Sequence, residues 1–197
     1  MDLTAWVLVF PPQAGCLKWR VLPRFFLPGE CVQKVSDRDQ VPYSAWIRQG
    51  FIAATPGEMI DQRAVLDRIR WGRQMFDLRE VPYDRFNFRS EALNLVDEGI
   101  QAVEVSQNFL LLSHPTKFLL GAYVDQKIRH GNNPVLNWMA SCLQLQYDHK
   151  DNCQPAKPKR GRSSKRIDGI QATITGLTRA ILGEDNSITY TGLRSVG

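Results

Sequence analysis

The sequence predicts an α/β domain built on a mixed sheet flanked by helices. Two short apolar runs stand side by side at the start, strand-like and helix-like segments alternate after them, and no internal repeat or second core follows. Residues 3–10 form a nearly continuous apolar run ended by Pro11-Pro12. Their length and their Val, Trp and Phe content favour a buried strand. Residues 17–27, with Trp19, Val21, Phe25 and Phe26, read as a second strand paired to the first and interrupted at Pro23. Residues 28–42 read as an exposed, charge-rich connection, and 41–50 as one or two helical turns closed by Gly50.

The clearest helix spans residues 61–76, with Asp61 placed to cap it and Val65, Ile69, Met75 and Phe76 on its apolar side. A short strand at 81–83 precedes a helix at 88–98 that carries Leu93 and Val96 and stops at Gly99. Residues 102–105 read as a strand and 115–128 as a helix with Pro115 in its first turn. A further helix covers 134–145, with Val135, Leu136, Met139 and Leu143. The last covers 167–182, where Ile170, Ile174, Leu177 and Ile181 fall at helical spacing and Gly183 is the stop. Residues 184–197 are polar and read as a flexible tail, leaving one domain over residues 1–183.

Composition narrows the function classes. A chain of 197 residues can bury roughly two-thirds of its unfolded surface and needs neither disulfide nor metal to hold a core. Its 43% hydrophobic content is too high for a disordered chain, and no stretch reaches the ~18–20 apolar residues of a membrane span. Four irregularly spaced cysteines and three histidines form no zinc pattern, so a reduced, intracellular protein is expected. No phosphate-binding G-x-x-x-x-G-K-[ST] loop is present, since the stretch at 161–165 lacks its leading glycine and spacing.

The net charge of +5 is local. Residues 150–166 hold Lys150, Lys157, Lys159, Arg160, Arg162, Lys165 and Arg166 against Asp151 alone, a balance of +6, while the other 18 basic and 19 acidic residues carry −1. With Pro155, Pro158, Gly161, Ser163 and Ser164 interspersed, the segment reads as a loop. Such a loop either follows a phosphate backbone or is simply solvated.

Two aspartates occupy positions suited to chemistry. Asp84 ends the strand at 81–83, and ligands of α/β sheets gather at the carboxyl ends of strands. Asp168 opens the last helix directly after Lys165-Arg166, where the helix dipole and two cations favour the ionised form that a hard divalent cation requires. Position alone also fits two plainer roles, a turn former at Asp84 and a helix cap at Asp168. Asp61 reads as a cap, Asp2 as an end residue, and His130 as the cap of a helix-terminating loop.

Several segments, in order, resemble the large terminase subunit of tailed bacteriophages. They are Asp2-Leu-Thr-Ala with Val9-Phe-Pro11, Phe25-Phe-Leu-Pro28, Pro42-Tyr-Ser-Ala-Trp46 with Gly50-Phe-Ile-Ala-Ala-Thr-Pro-Gly57, Val81-Pro-Tyr-Asp-Arg-Phe86, Ile128-Arg-His-Gly-Asn-Asn133 with Pro134-Val-Leu-Asn-Trp-Met139, and Lys165-Arg-Ile-Asp-Gly-Ile170. Each is weak singly; six collinear segments across residues 2–182 are specific.

The resemblance implies a nuclease domain of the ribonuclease H-like fold, in which a metal-bound acidic cluster cuts concatemeric double-stranded viral DNA during packaging. Carried over by position, the metal-binding residues are Asp84, Asp168 and, less directly, Asp2, holding Mg²⁺ or Mn²⁺ in a two-metal site. Asp84 and Asp168 are then catalytic. Lys157, Lys159, Arg160, Arg162, Lys165 and Arg166 would hold the duplex. The resemblance further implies the portal protein and small terminase subunit as partners, no membrane, and the host-cell cytoplasm as location. Family members also carry an N-terminal ATPase motor and a catalytic aspartate on the first strand of the nuclease sheet, just before the Asp-Leu-Thr-Ala segment. This chain opens at that segment, so the expectation is a domain without the motor and a sheet lacking its first strand. The alternative is an inactive fragment that only binds DNA or the portal. A transposase or junction resolvase of similar fold is a third reading, which the motif order opposes.

Overall fold

The computed structural model describes residues 3–158 and 164–185. Its strands are β1 (Thr4–Phe10), β2 (Trp19–Pro28), β3 (Ile52–Thr55), β4 (Val81–Tyr83), β5 (Ala102–Glu104), β6 (Ile128–Arg129), β7 (Gln144–Tyr147) and β8 (Cys153–Ala156). Its helices are α1 (Val32–Asp39), α2 (Tyr43–Arg48), α3 (Gln62–Met75), α4 (Arg85–Asp97), α5 (Phe109–Val124), α6 (Pro134–Ser141) and α7 (Asp168–Asp185).

β1 and β2 pair antiparallel from Thr4 opposite Phe26 to Phe10 opposite Arg20. On its other edge β2 pairs parallel with β6 at Trp19–Arg20 and with β3 at residues 25–28. The expected interruption at Pro23 is absent, because Pro23 lies in the gap between β6 and β3, where that edge has no partner. β4 and β5 form a separate parallel ladder, and β7 and β8 an antiparallel hairpin.

Alternate side chains of β1 and β2 enter opposite cores. Leu3, Val21, Phe25 and Leu27 join Val35, Tyr43, Trp46, Met139, Ile170 and Ile174 on one side. Trp6, Leu8 and Phe26 join Val65, Ile69, Val81, Leu95 and Ile100 on the other. The sheet is therefore covered on both faces, as the sequence pattern implies.

Several elements depart from expectation. The connection at 28–42 contains α1, which buries Val35 and Asp39; with one apolar anchor and one acidic one, it shows no apolar stripe in sequence. In α4 the buried residues are Ala92 and Leu95, whereas Leu93 and Val96 are exposed. The helix kinks at Phe88, and the segment after it turns the Ala92–Leu95 side inward.

α5 starts six residues before Pro115, capped by the Asn108 side chain, which accepts from the Leu111 amide. Pro115 is thus internal, and Ile128 belongs to β6. α6 ends at Ser141, short of the expected 145, because residues 144–147 enter β7. Within the basic segment, 153–156 is strand rather than loop, with Cys153 and Pro155 turned inward. α7 continues through Gly183 to Asp185; the rest of the expected tail lies outside the described residues. All four cysteines are free thiols. Among the described residues no helix is long and apolar enough to cross a membrane.

Candidate active site

Asp84 sits at the carboxyl end of β4 and also caps α4, its Oδ1 accepting from the Phe86 amide at 3.2 Å. One lone pair is used in this way, and the second carboxylate oxygen leaves further acceptor capacity. Asp168 is the first residue of α7, where the positive end of the helix dipole favours a carboxylate.

Three side-chain contacts orient α7 against the β4–β5 ladder. Glu80, directly before β4, pairs with Arg179 at 2.6 and 2.9 Å, and this contact holds the Glu80 carboxyl below its ordinary value. Gln107, just beyond β5, bonds Gln171 and reaches Thr175 Oγ1 at 3.5 Å. α7 therefore runs antiparallel to the ladder. Asp168, at the start of α7, thus lies toward the end of the ladder at which β4 delivers Asp84.

The start of α7 is held tightly. A Cβ built on Gly169 would lie 2.7 Å from Phe25 Cε1 and 3.0 Å from Leu136 Cδ1, so only glycine allows this approach. The Gly169 amide donates to Met139 Sδ at 3.1 Å.

Of the expected phosphate contacts, Lys157 and Lys165 are half-buried near the chain's basic stretch. Lys159, Arg160 and Arg162 lie outside the described residues, as does Asp2. Arg166 departs from its expected role. Its side chain is 3% exposed and lies 3.2 Å from Asp39 Oδ1, so in this position it faces the interior and not a duplex.

Asp39 is the charged residue that sequence reading missed. Tyr43 donates to its Oδ2 at 2.8 Å, and Arg38 to its Oδ1 at 2.7 Å. Burial, reinforced by the Asp39 carboxylate, pushes the Tyr43 hydroxyl far above its ordinary value and keeps it a donor. Nothing in the run Ser36-Asp-Arg-Asp39 distinguishes Asp39 from the exposed Asp37. His130 follows β6 and so lies beyond a strand, not at a helix end; burial lowers its affinity for a proton.

Hard oxygen donors at Asp84 and Asp168 fit Mg²⁺ or Mn²⁺ in type. Among the described residues no three or more His, Cys, Asp or Glu side chains group closely enough to hold a metal ion. A cation held by these two carboxylates alone would need water or substrate oxygens in its remaining positions.

The result is a two-faced mixed α/β domain with Asp84 at a strand end and Asp168 at the start of the helix that packs along that strand. The family model for "Terminase large subunit, endonuclease domain" matches residues 1–184, and the chain belongs to that family. It is 28% identical over 194 residues to the "Terminase, large subunit" of Enterobacteria phage HK97, covering 97% of this chain and 36% of that protein. It is 26% identical over 183 residues to "Protein YmfN" of Escherichia coli K12, covering 91% of this chain and 40% of that one. The crystal structure of the HK97 large terminase superposes with a TM-score of 0.80 at 27% identity, covering 91% of this chain and 37% of that one. The chain thus spans about two-fifths of the length of these relatives.

Proposed function

We propose that this chain cleaves double-stranded viral DNA endonucleolytically during genome packaging, using a divalent cation held by Asp84 and Asp168. What supports the reading is the antiparallel run of α7 along the β4–β5 ladder, with Asp168 at the helix start and Asp84 at the strand end. When bound, such an ion supplies Lewis acidity, making water a stronger nucleophile and neutralising charge on the reacting phosphate. The protein's part is to orient the carboxylates from a strand end and a helix start. Asp2 is the expected third carboxylate.

The basic stretch at 157–165 would hold the duplex backbone without reading base sequence, through Lys157, Lys159, Arg160, Arg162 and Lys165. A ribonuclease H-like arrangement of the sheet belongs to the same reading. Among the described residues β1 bonds only β2 and β4 bonds only β5, while α7 packs on both β1 and β4. The portal protein, the small terminase subunit and the host-cell cytoplasm belong to the same proposal.

The test is nicking of supercoiled plasmid with Mn²⁺. Nicking by the wild-type chain that disappears in Asp84→Ala and Asp168→Ala, with far-UV circular dichroism unchanged, is the expected result. An inert wild-type chain that still binds DNA would favour a binding module instead. Removing Lys159, Arg160 and Arg162 together should flatten the salt dependence of DNA binding by at most about three in log slope.

A further inference from the structure

Two segments that the sequence sets apart, residues 42–46 and 165–170, meet at one buried ion pair. The Asp39 side chain is 0% exposed and that of Arg166 3%. The carboxylate accepts from Arg166 Nη2 at 3.2 Å, from Arg38 Nε at 2.7 Å and Nη2 at 3.1 Å, and from the Tyr43 hydroxyl at 2.8 Å. Desolvating such a pair opposes its Coulomb gain, so a well-packed apolar substitute is often no less stable. Such a pair is weak evidence of bulk stability, and its location bears directly on Asp168.

Arg166 lies two residues before Asp168, and the intervening Ile167 is buried. On the other side of Asp168, Gly169 is wedged against Phe25 and Leu136 and bonds Met139. Asp168 is thus held between a residue anchored by its side chain and one anchored by its backbone. We propose that Asp39 is a positioning residue: through Arg166 it sets the direction in which the Asp168 carboxylate leaves the first turn of α7. This rests on the reading of Asp168 as a metal-holding group. It also gives Arg166 a task inside the fold, in place of a contact with DNA.

The experiment compares the full chain with Asp39→Asn, Arg166→Lys, the apolar exchange Asp39→Leu with Arg166→Met, and Asp168→Ala. Each is checked for folding by thermal melting, and Mn²⁺ binding is then read from the loss of the free-ion electron paramagnetic resonance signal. Loss of a direct outer partner of a metal ligand weakens affinity by about 10–100-fold; Asp39 acts one step further out, through Arg166, so a loss of up to about tenfold is expected for Asp39→Asn and for the apolar exchange. Arg166→Lys keeps the charge without the guanidinium fork and should fall between these and wild type.

The apolar exchange guards against misfolding of the single variant, because it removes both charges of the buried pair together, leaving the Tyr43 hydroxyl as the buried group that loses its Asp39 acceptor. A purely structural pair would let that exchange restore wild-type Mn²⁺ affinity; a folded variant within about twofold of wild type would overturn the proposal. If Asp168→Ala itself binds Mn²⁺ like wild type, the metal reading of Asp168 fails and this proposal falls with it. If Asp168→Ala loses Mn²⁺ and the Asp39 variants do not, only the positioning role fails.

Discussion

Replacing Gly169 by alanine isolates the packing that seats the start of α7. The added Cβ would meet Phe25 at 2.7 and 2.9 Å and Leu136 at 3.0 Å. Neither neighbour is a flexible surface side chain: Phe25 is 0% exposed and Leu136 5%. Overpacking of this kind costs about 1–3 kcal/mol. Alanine recovers at most about 1 kcal/mol of helix propensity, so a net loss of about 1–2 kcal/mol is expected. For a domain of this size that lowers the melting temperature by about 2–8 °C. Gly121, in the exposed part of α5, has no atom within 4 Å of the position its added methyl would take, and Gly121→Ala should raise stability by up to about 1 kcal/mol. Calorimetry of both variants decides the matter. A Gly169→Ala protein that melts at or above wild type, or two glycines that respond alike, would refute the packing argument.

Three further substitutions test other parts of the fold. Ile174 is fully buried in the core between α7 and the sheet; Ile174→Ala should lower stability by about 2–5 kcal/mol in urea titration, and a loss below about 1 kcal/mol would contradict its place there. Asn133 Oδ1 accepts from the Val135 and Leu136 amides, both at 3.1 Å, so Asn133→Ala should cost about 1–2 kcal/mol and Asn133→Ser should recover most of it. Glu80→Gln removes the half-buried pair with Arg179 and should cost about 1 kcal/mol near neutral pH. Because Arg179 lowers the Glu80 pKa in the folded state, this contribution is complete above the ordinary carboxylate range and is lost as pH falls through the depressed value. The difference between wild type and Glu80→Gln should therefore close in acid; a difference that widens there would invert the assigned sign.

Charges that are adjacent in sequence do not share one environment. Lys165 and Arg166 are neighbours and look alike in a charge count, yet one is half-buried near the basic stretch and the other is closed into an ion pair with Asp39. A run of cations is therefore not one surface. Its members separate according to what α1 and α2 place against them.

Local pattern was sufficient for β1, α3, β4 and the start of α6, because each pairs a distinct apolar run with a turn residue or cap that acts within a few positions. Asp61 on the Arg63 amide and Asn133 on the Val135 amide are such signals. The same locality made Asp84 and Asp168 visible, one at a strand end and one at a helix start. What local pattern could not carry was anything held by partners far along the chain. β3 and β6 are short strands fixed by parallel pairing to β2, and α1 is anchored by a carboxylate whose partner lies 127 residues away. The packing of α7 along β4 likewise depends on Glu80 and Arg179, 99 residues apart. Periodicity and capping are nearest-neighbour effects. The pairing of distant strands and buried charges exists only once the chain has closed on itself.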